Sequence, residues 1–168
     1  MNISTFNNRE DELKTVELLR EIISNYSVPE FTEEILVRDG AIPHSHPILT
    51  LNTRQSDKLG LLQTLVHEQF HWYVQTRPKY KECVAHLKDI YQDDGEHNKS
   101  GNYPNSYWEH IIVCFNTRFY LQKIISDTEL KEIYSQWQPY PTLEKYVEEN
   151  FYKIEKDLLF FGMVYKNI

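Results

Sequence analysis

Residues 67–71 read His-Glu-Gln-Phe-His and match the pattern H-E-x-x-H. On a helix with about 3.6 residues per turn, His67 and His71 project from the same face and can bind one metal ion through their imidazole nitrogens. Glu68 is rotated by roughly 100° from His67, which keeps it out of the ligand shell but close enough to accept a proton from an activated water. The pattern therefore predicts two metal ligands, His67 and His71, and one catalytic base, Glu68.

The match is specific for a chain of this composition. The histidine and glutamate content of the 168 residues gives about 0.03 chance matches to the pattern. The reading in which both histidines are ordinary helix residues and the glutamate is a solvated charge is therefore the weaker one.

A third metal ligand has to come from another part of the chain, because a catalytic zinc ion takes three protein ligands and one water. We predict His110, since a histidine among the apolar residues of its helix needs a polar partner. Two alternatives stay open, Glu109 and His86. Glu109 also fits a capping box that begins at Ser106, and His86 lies on the inward stripe of its own helix. Zinc is the expected cofactor, although such ligands also suit Mn, Fe, Co or Ni.

The remaining histidines are expected to be loop residues. His44 and His46 form an H-x-H pair between Pro43 and Pro47, a spacing that could bind metal but is more typical of a decorated loop. His97 lies in a stretch rich in Asp, Gly, Asn and Ser and is expected to be solvated.

A tyrosine, histidine or arginine is expected to stabilise the oxyanion that forms during hydrolysis. Tyr134 and Tyr140 are the candidates, with core packing as the alternative role for both. Cys83 and Cys114 fall on apolar helix faces, so we predict buried, reduced thiols rather than nucleophiles.

The elements that position these residues follow from hydrophobic periodicity and breakers. The H-E-x-x-H segment belongs to a predicted helix of roughly 20 residues that Ser56 or Asp57 caps and that ends before Pro78. Two strands precede it and are expected to form an antiparallel hairpin or to lie side by side. We predict further helices over residues 9–26, 79–91, 106–125, 127–136 and 141–160, strands over 34–38 and 47–53, and a loop over 93–105.

Composition and charge bound the class of protein. The chain is 40% hydrophobic and 26% charged, which supports a single α+β domain over residues 1–168, predominantly helical with a small sheet before the active-site helix. The net charge of −7, without a basic run, argues against a nucleic-acid partner. Neither a secretory signal nor a membrane-spanning run is visible, so we expect a soluble, cytoplasmic protein without a membrane partner.

The strand, the H-E-x-x-H helix and the later ligand helix together resemble the zincin metallopeptidases over about residues 47–125. The resemblance implies a zinc-dependent peptidase acting on a peptide or protein, with strand 47–53 lining the cleft and pairing with an extended peptide.

Two departures from the zincin patterns leave the third ligand open. Val74 and Arg77 stand where the metzincin pattern has Gly and His, and no Asn-Glu pair downstream begins the glutamate-ligand pattern. A non-catalytic zinc-containing binding or regulatory module is the alternative function, and a hydrolase of non-peptide amides or esters is a third.

Overall fold

The predicted α+β class is confirmed, with helices predominating over a small sheet. The computed structural model describes residues 1–55, 57–91, 106–136 and 140–166, without the side chain of Ser106. The elements are β1 (Asn2–Thr5), α1 (Glu10–Asn25), β2 (Glu34–Val37), β3 (Leu49–Leu51), α2 (Lys58–Gln75), α3 (Tyr80–Ile90), α4 (Ser106–Ile124), α5 (Asp127–Ser135), α6 (Pro141–Glu149) and α7 (Phe151–Phe161).

The sheet has the order β1-β2-β3, and both pairs of strands are parallel. The antiparallel hairpin considered for β2 and β3 is therefore wrong. After β2 the chain returns along the sheet before β3 begins, so that Ile35 lies opposite Leu49 and Val37 opposite Leu51. Strand β1 was not predicted, because its four residues alternate between exposed and half-buried and carry no apolar alternation.

The outer edge of β3 is already paired with the preceding loop. The backbone N–H of His44 donates to the carbonyl of Thr50 at 3.1 Å, and the N–H of Thr50 donates to the carbonyl of His44 at 2.8 Å. These are the groups that an added strand would use at this position. The expectation that an extended peptide pairs along 47–53 is therefore not met at Thr50.

Helix α2 is the buried element that carries the H-E-x-x-H segment. Asp57 caps it as predicted, because its side chain accepts a hydrogen bond from the N–H of Gly60 at 2.7 Å. The alternative cap, Ser56, lies outside the described residues. Residues from both halves of α2 are buried, and the helix packs most extensively against α4. The two elements expected to carry metal ligands are thus direct neighbours.

Gln69, inside the H-E-x-x-H segment, joins α2 to the chain before β2. Its Oε1 accepts hydrogen bonds from the N–H groups of Phe31 at 2.7 Å and Thr32 at 3.0 Å, and its Nε2 donates to the carbonyl of Thr32 at 3.1 Å. The side chain is fully buried, so these bonds replace contacts with water. Gln69 therefore fixes the position of the sheet relative to α2.

Glu12 performs a similar task at the other end of the sheet. Its buried carboxylate accepts hydrogen bonds from the backbone N–H groups of Asn7 at 2.8 Å, Arg9 at 3.3 Å and Asp39 at 3.1 Å. Burial favours the protonated form, but these donors outweigh it and hold the pKa of Glu12 below its usual value. The ionised carboxylate therefore ties the start of α1 to the turn after β2.

The predicted helices agree with the observed ones within about two residues at each end, except in one place. The helix predicted over 141–160 is divided at Asn150, where φ is −111° and ψ is 17°, into α6 and α7. Helix α7 ends at Phe161 and is followed by the C-cap residue Gly162, which adopts the left-handed conformation with φ of 67°. The loop predicted over 93–105 falls outside the described residues.

Both cysteines are buried free thiols, as predicted. Within the described ranges, none of the helices combines the length and the apolar character that crossing a bilayer requires.

Candidate metal centre

Three histidines from two helices meet between α2 and α4. His67 and His71 lie one turn apart on α2, and His110 faces them from the first half of α4. One ring nitrogen from each of the three lies within 4.8 Å of the others. The ring centroids are 5.1 Å apart for His67 and His71, 5.7 Å for His67 and His110, and 4.9 Å for His71 and His110. Three converging imidazoles form the donor set that suits a catalytic zinc ion.

The charge state of His67 fits metal binding. Burial is the main effect, and together with the nearby His71 and His110 it keeps the pKa of His67 well below its usual value. The ring is therefore neutral at physiological pH, and the neutral imidazole is the form that binds a metal.

Glu109 is not one of the three converging residues, but its carboxylate is hydrogen-bonded to one of them, His71. Its Oε1 accepts a hydrogen bond from Nδ1 of His71 at 3.1 Å and from Nε2 of Gln75 at 3.3 Å, and its Oε2 accepts one from the Tyr80 hydroxyl at 2.5 Å. With Nδ1 bound to Glu109, His71 has Nε2 left for a metal, as is usual for metal-binding histidines. The Ser106 side chain that would complete the capping box lies outside the described residues.

The environment of Glu109 keeps its carboxylate ionised. Burial opposes ionisation, but hydrogen bonds from His71 and Tyr80 outweigh it and lower the pKa of Glu109 to about 2. A negative charge beside His71 favours a cation bound at that imidazole.

Glu68 follows His67 directly on α2. The side chain is buried, and burial raises its pKa despite the opposing effects of His71 and His44. A carboxylate with a raised pKa is a better proton acceptor near neutral pH. Glu68 thus has the environment of a general base.

The loop that carries His44 and His46 borders this site, which the sequence did not reveal. The imidazole of His46 stacks on the indole of Trp72 with centroids 4.1 Å apart, and Nε1 of Trp72 donates to the carbonyl of Ser45 at 2.8 Å. His44 is near enough to Glu68 to favour its ionised form. The sequence feature that indicated an ordered loop here was the pair Pro43 and Pro47, which restrict the backbone on both sides of His44 and His46.

Tyr140 is the one of the two candidate tyrosines that lies at the histidines. Its ring centroid is 4.5 Å from that of His110, and its ring stacks on His67 at 6.3 Å. Burial, with smaller effects of Cys114 and Glu68, raises the pKa of Tyr140 to about 12, so the hydroxyl keeps its proton. Tyr134 instead contacts Arg118, whose guanidinium carbon lies 4.3 Å from its ring centroid.

Two further polar side chains, from α4 and α6, lie close to His67. The carboxylate of Glu144, the thiol of Cys114 and a ring nitrogen of His67 lie within 4.8 Å of one another. Burial raises the pKa of Glu144 to about 7, against the opposing effects of the Cys114 thiol and Arg118. Glu144 was not predicted from the sequence, although a charged residue beside Leu143 and one turn before Val147, on the apolar stripe of its helix, was a usable signal.

The other histidines do not join the group. Nε2 of His86 lies 3.6 Å from the Asp157 carboxylate, and its ring centroid is 5.1 Å from that of Phe161. His86 therefore contacts α7 instead of the centre, and His97 lies outside the described residues.

Comparisons of the chain with protein-family models, with curated proteins and with solved structures found no significant match. Its function is therefore inferred from the residues of the centre themselves.

Proposed function

We propose that this chain is a zinc-dependent hydrolase of the zincin type that cleaves peptide bonds. The observation that carries the proposal is the convergence of His67, His71 and His110 within 4.8 Å, with the buried Glu68 next in sequence to one of them. Three imidazoles and an adjacent carboxylate make up the protein part of a metal-assisted hydrolase.

The donor set fits zinc by its chemistry. Three imidazoles, of which His71 is held at Nδ1 by Glu109, match the ligands that this ion prefers in catalytic sites. When bound there, zinc supplies a Lewis acid that polarises a carbonyl and lowers the pKa of a water molecule to about 7.

Glu68 moves the proton during hydrolysis. Its carboxylate accepts one proton from the attacking water and then returns it to the leaving nitrogen, so that the residue ends in its starting state. The raised pKa of Glu68 brings its basicity closer to what such a transfer needs at neutral pH.

Tyr140 supplies a hydrogen-bond donor beside the histidines. Its position next to His110 supports a role in stabilising the oxyanion that develops on the attacked carbonyl.

Metal content is the first measurement that tests the proposal. Elemental analysis of the chain, purified without added metal or chelator, should find about one zinc per chain, the stoichiometry of a single three-ligand site. His67→Ala and His110→Ala should lose it. His86→Ala is the matched control, because that histidine contacts Asp157 on α7, and it should keep the zinc.

Glu68→Gln separates metal binding from catalysis. This variant should keep the zinc and lose hydrolysis of a mixed peptide library, because the amide is too weak a base to accept the proton. Full activity in Glu68→Gln would refute the assigned role. Firmly held zinc without turnover of any peptide would instead indicate the non-catalytic binding module, and turnover of small amides or esters alone would exclude peptides as the substrate.

A further inference from the structure

A cavity near the histidine centre is lined by buried polar atoms that have no hydrogen-bond partner among the described residues. Nη1 of Arg118, the hydroxyl of Tyr134 and Oε2 of Glu144 are buried, and within the described residues none of these atoms has a hydrogen-bond partner. All three side chains line one cavity of about 260 Å³. Arg118 and Glu144 are only 9% and 5% exposed. Because unpaired buried polar groups are costly, three of them around one cavity indicate a ligand that pairs with them.

The cavity adjoins the histidine centre through Glu144. Its carboxylate lies within 4.8 Å of a ring nitrogen of His67, while the same side chain forms part of the cavity wall. A group that binds the Glu144 carboxylate in this cavity therefore lies close to His67.

Arg118 and Tyr134 together offer donors to an anion. Nη2 of Arg118 is used by Glu148 at 2.6 Å, which leaves Nη1 as a donor that needs an acceptor. The Tyr134 hydroxyl can donate a second bond, and its ring lies against the same guanidinium. Two neighbouring donors, one of them charged, are the arrangement that recognises the two oxygens of a carboxylate.

Glu144, in contrast, needs a hydrogen-bond donor from the ligand. Its Oε2 lacks a donor, and the amide N–H of a peptide is a suitable one. The last residue of a peptide presents a carboxylate and an amide N–H on the same Cα atom. An anion without a proton, such as sulfate, would satisfy Arg118 and Tyr134 but would offer no donor to the ionised Glu144 carboxylate.

We propose that this cavity binds the C-terminal residue of the substrate, an α-amino acid acylated on its nitrogen. Its carboxylate accepts hydrogen bonds from Arg118 and Tyr134, and its amide N–H donates to Glu144. The assignment of this ligand as substrate rests on the proposed hydrolase function: the amide carbonyl on the far side of that N–H then faces the histidines. The chain would release C-terminal residues from peptides, or the amino acid from a small N-acyl derivative.

Binding of N-acetylalanine tests the site, with N-acetylalaninamide as the uncharged probe of the same shape. Isothermal titration should show that the acid binds and that the amide binds about tenfold or more weakly, the change expected from losing a hydrogen bond to a charged group. Tyr134→Phe should weaken binding of the acid by a similar factor. This variant removes only a hydroxyl that has no partner in the described chain, so it should fold normally.

Tyr152→Phe is the matched control, because Tyr152 is 85% exposed on α7, and it should bind as the unchanged chain does. Arg118→Lys keeps the charge but loses the planar fork, and it should also weaken binding of the acid. Equal affinity for acid and amide, or unchanged affinity in Tyr134→Phe, would overturn the proposal. Binding of sulfate as tight as that of N-acetylalanine would overturn it as well, since the site would then recognise an anion without the amide N–H.

The binding readout is independent of the metal readout. A chain that holds zinc but does not bind N-acetylalanine overturns this inference alone, whereas a chain that binds the acid but never zinc overturns the proposed hydrolase and leaves the carboxylate site. Turnover then tests the substrate class, with N-acetyl-trialanine against its C-terminal amide. Preference for the free acid supports release of C-terminal residues, and equal turnover of the two contradicts it.

Discussion

Replacing Glu109 by Gln tests whether the residue that holds His71 contributes to metal binding. In the structure the carboxylate accepts three hydrogen bonds, two at Oε1 from His71 and Gln75 and one at Oε2 from Tyr80. The substitution preserves the size of the side chain but removes its charge and turns one oxygen into a donor. The hydrogen bond from His71 then ends on a neutral oxygen and is weaker than one to a carboxylate.

The magnitude follows from the position of Glu109 behind a ligand. Loss of such a supporting carboxylate typically weakens metal binding about 10- to 100-fold, which corresponds to about 1.4–2.7 kcal/mol. The His71 and Glu109 side chains are only 11% and 16% exposed, so solvent screens the contact little. Tyr80→Phe, which removes one of the three donors and leaves the charge, should have a smaller effect in the same direction.

The assay is a competition titration of zinc against a chromophoric chelator at neutral pH. The unchanged chain, Glu109→Gln, Tyr80→Phe and His110→Ala are compared, with Glu82→Gln as the control. Glu82 is an exposed residue on α3, so this variant makes the same chemical change at the surface and should bind zinc normally.

Two results would refute the reasoning. If Glu109→Gln binds zinc as tightly as the unchanged chain does, the contact between His71 and Glu109 does not support the metal. If Glu109→Gln loses zinc as completely as His110→Ala does, Glu109 is itself a ligand.

Three further substitutions test the fold around the centre. Gln69→Ala should lower the free energy of unfolding by about 2–4 kcal/mol in urea, because two part-buried backbone N–H groups lose their acceptor and a buried side chain is removed; a change below about 1 kcal/mol would contradict this. Gly162→Ala should cost about 1–2 kcal/mol in the same assay through backbone strain alone, because φ is +67° and no atom lies within 4 Å of the added Cβ; unchanged stability would show that the strain is relieved. Glu12 has a pKa lowered in the folded state, so its contribution is present above the unfolded pKa of about 4.3 and is lost as the pH falls through the folded value. Glu12→Gln should therefore be less stable than the unchanged chain at pH 7, and the difference should shrink on acidification; urea curves that stay equally far apart at both pH values would contradict this.

The helices could be predicted largely from the sequence because helical periodicity is a local property. The apolar stripe of α2 and the Asp57 cap indicated the helix and its start before any tertiary contact was considered. The division of α6 from α7 could not be predicted in the same way. Asn150 does not forbid a helix, and the surrounding residues keep an apolar stripe on both sides of it.

The sheet was harder to predict because strand pairing is a long-range property. Strand β1 is stabilised by pairing with β2 across an intervening helix, and nothing in its own four residues indicates this. The direction of β3 depends on the path of the loop before it, which also brings His44 against Thr50.

The candidate centre shows the same division. The sequence by itself determined that His67 and His71 share one face and that Glu68 lies beside them, because three positions within five residues of a helix are related by helix geometry alone. It also singled out His110 as a polar residue on an apolar helix, but not its distance from α2. Only the tertiary structure decided that His110 faces the pair, that Glu109 accepts a hydrogen bond from His71 and that Glu144 lines a cavity. These relations join residues about 40 or more positions apart, and their distances depend on how α2, α4 and α6 pack together.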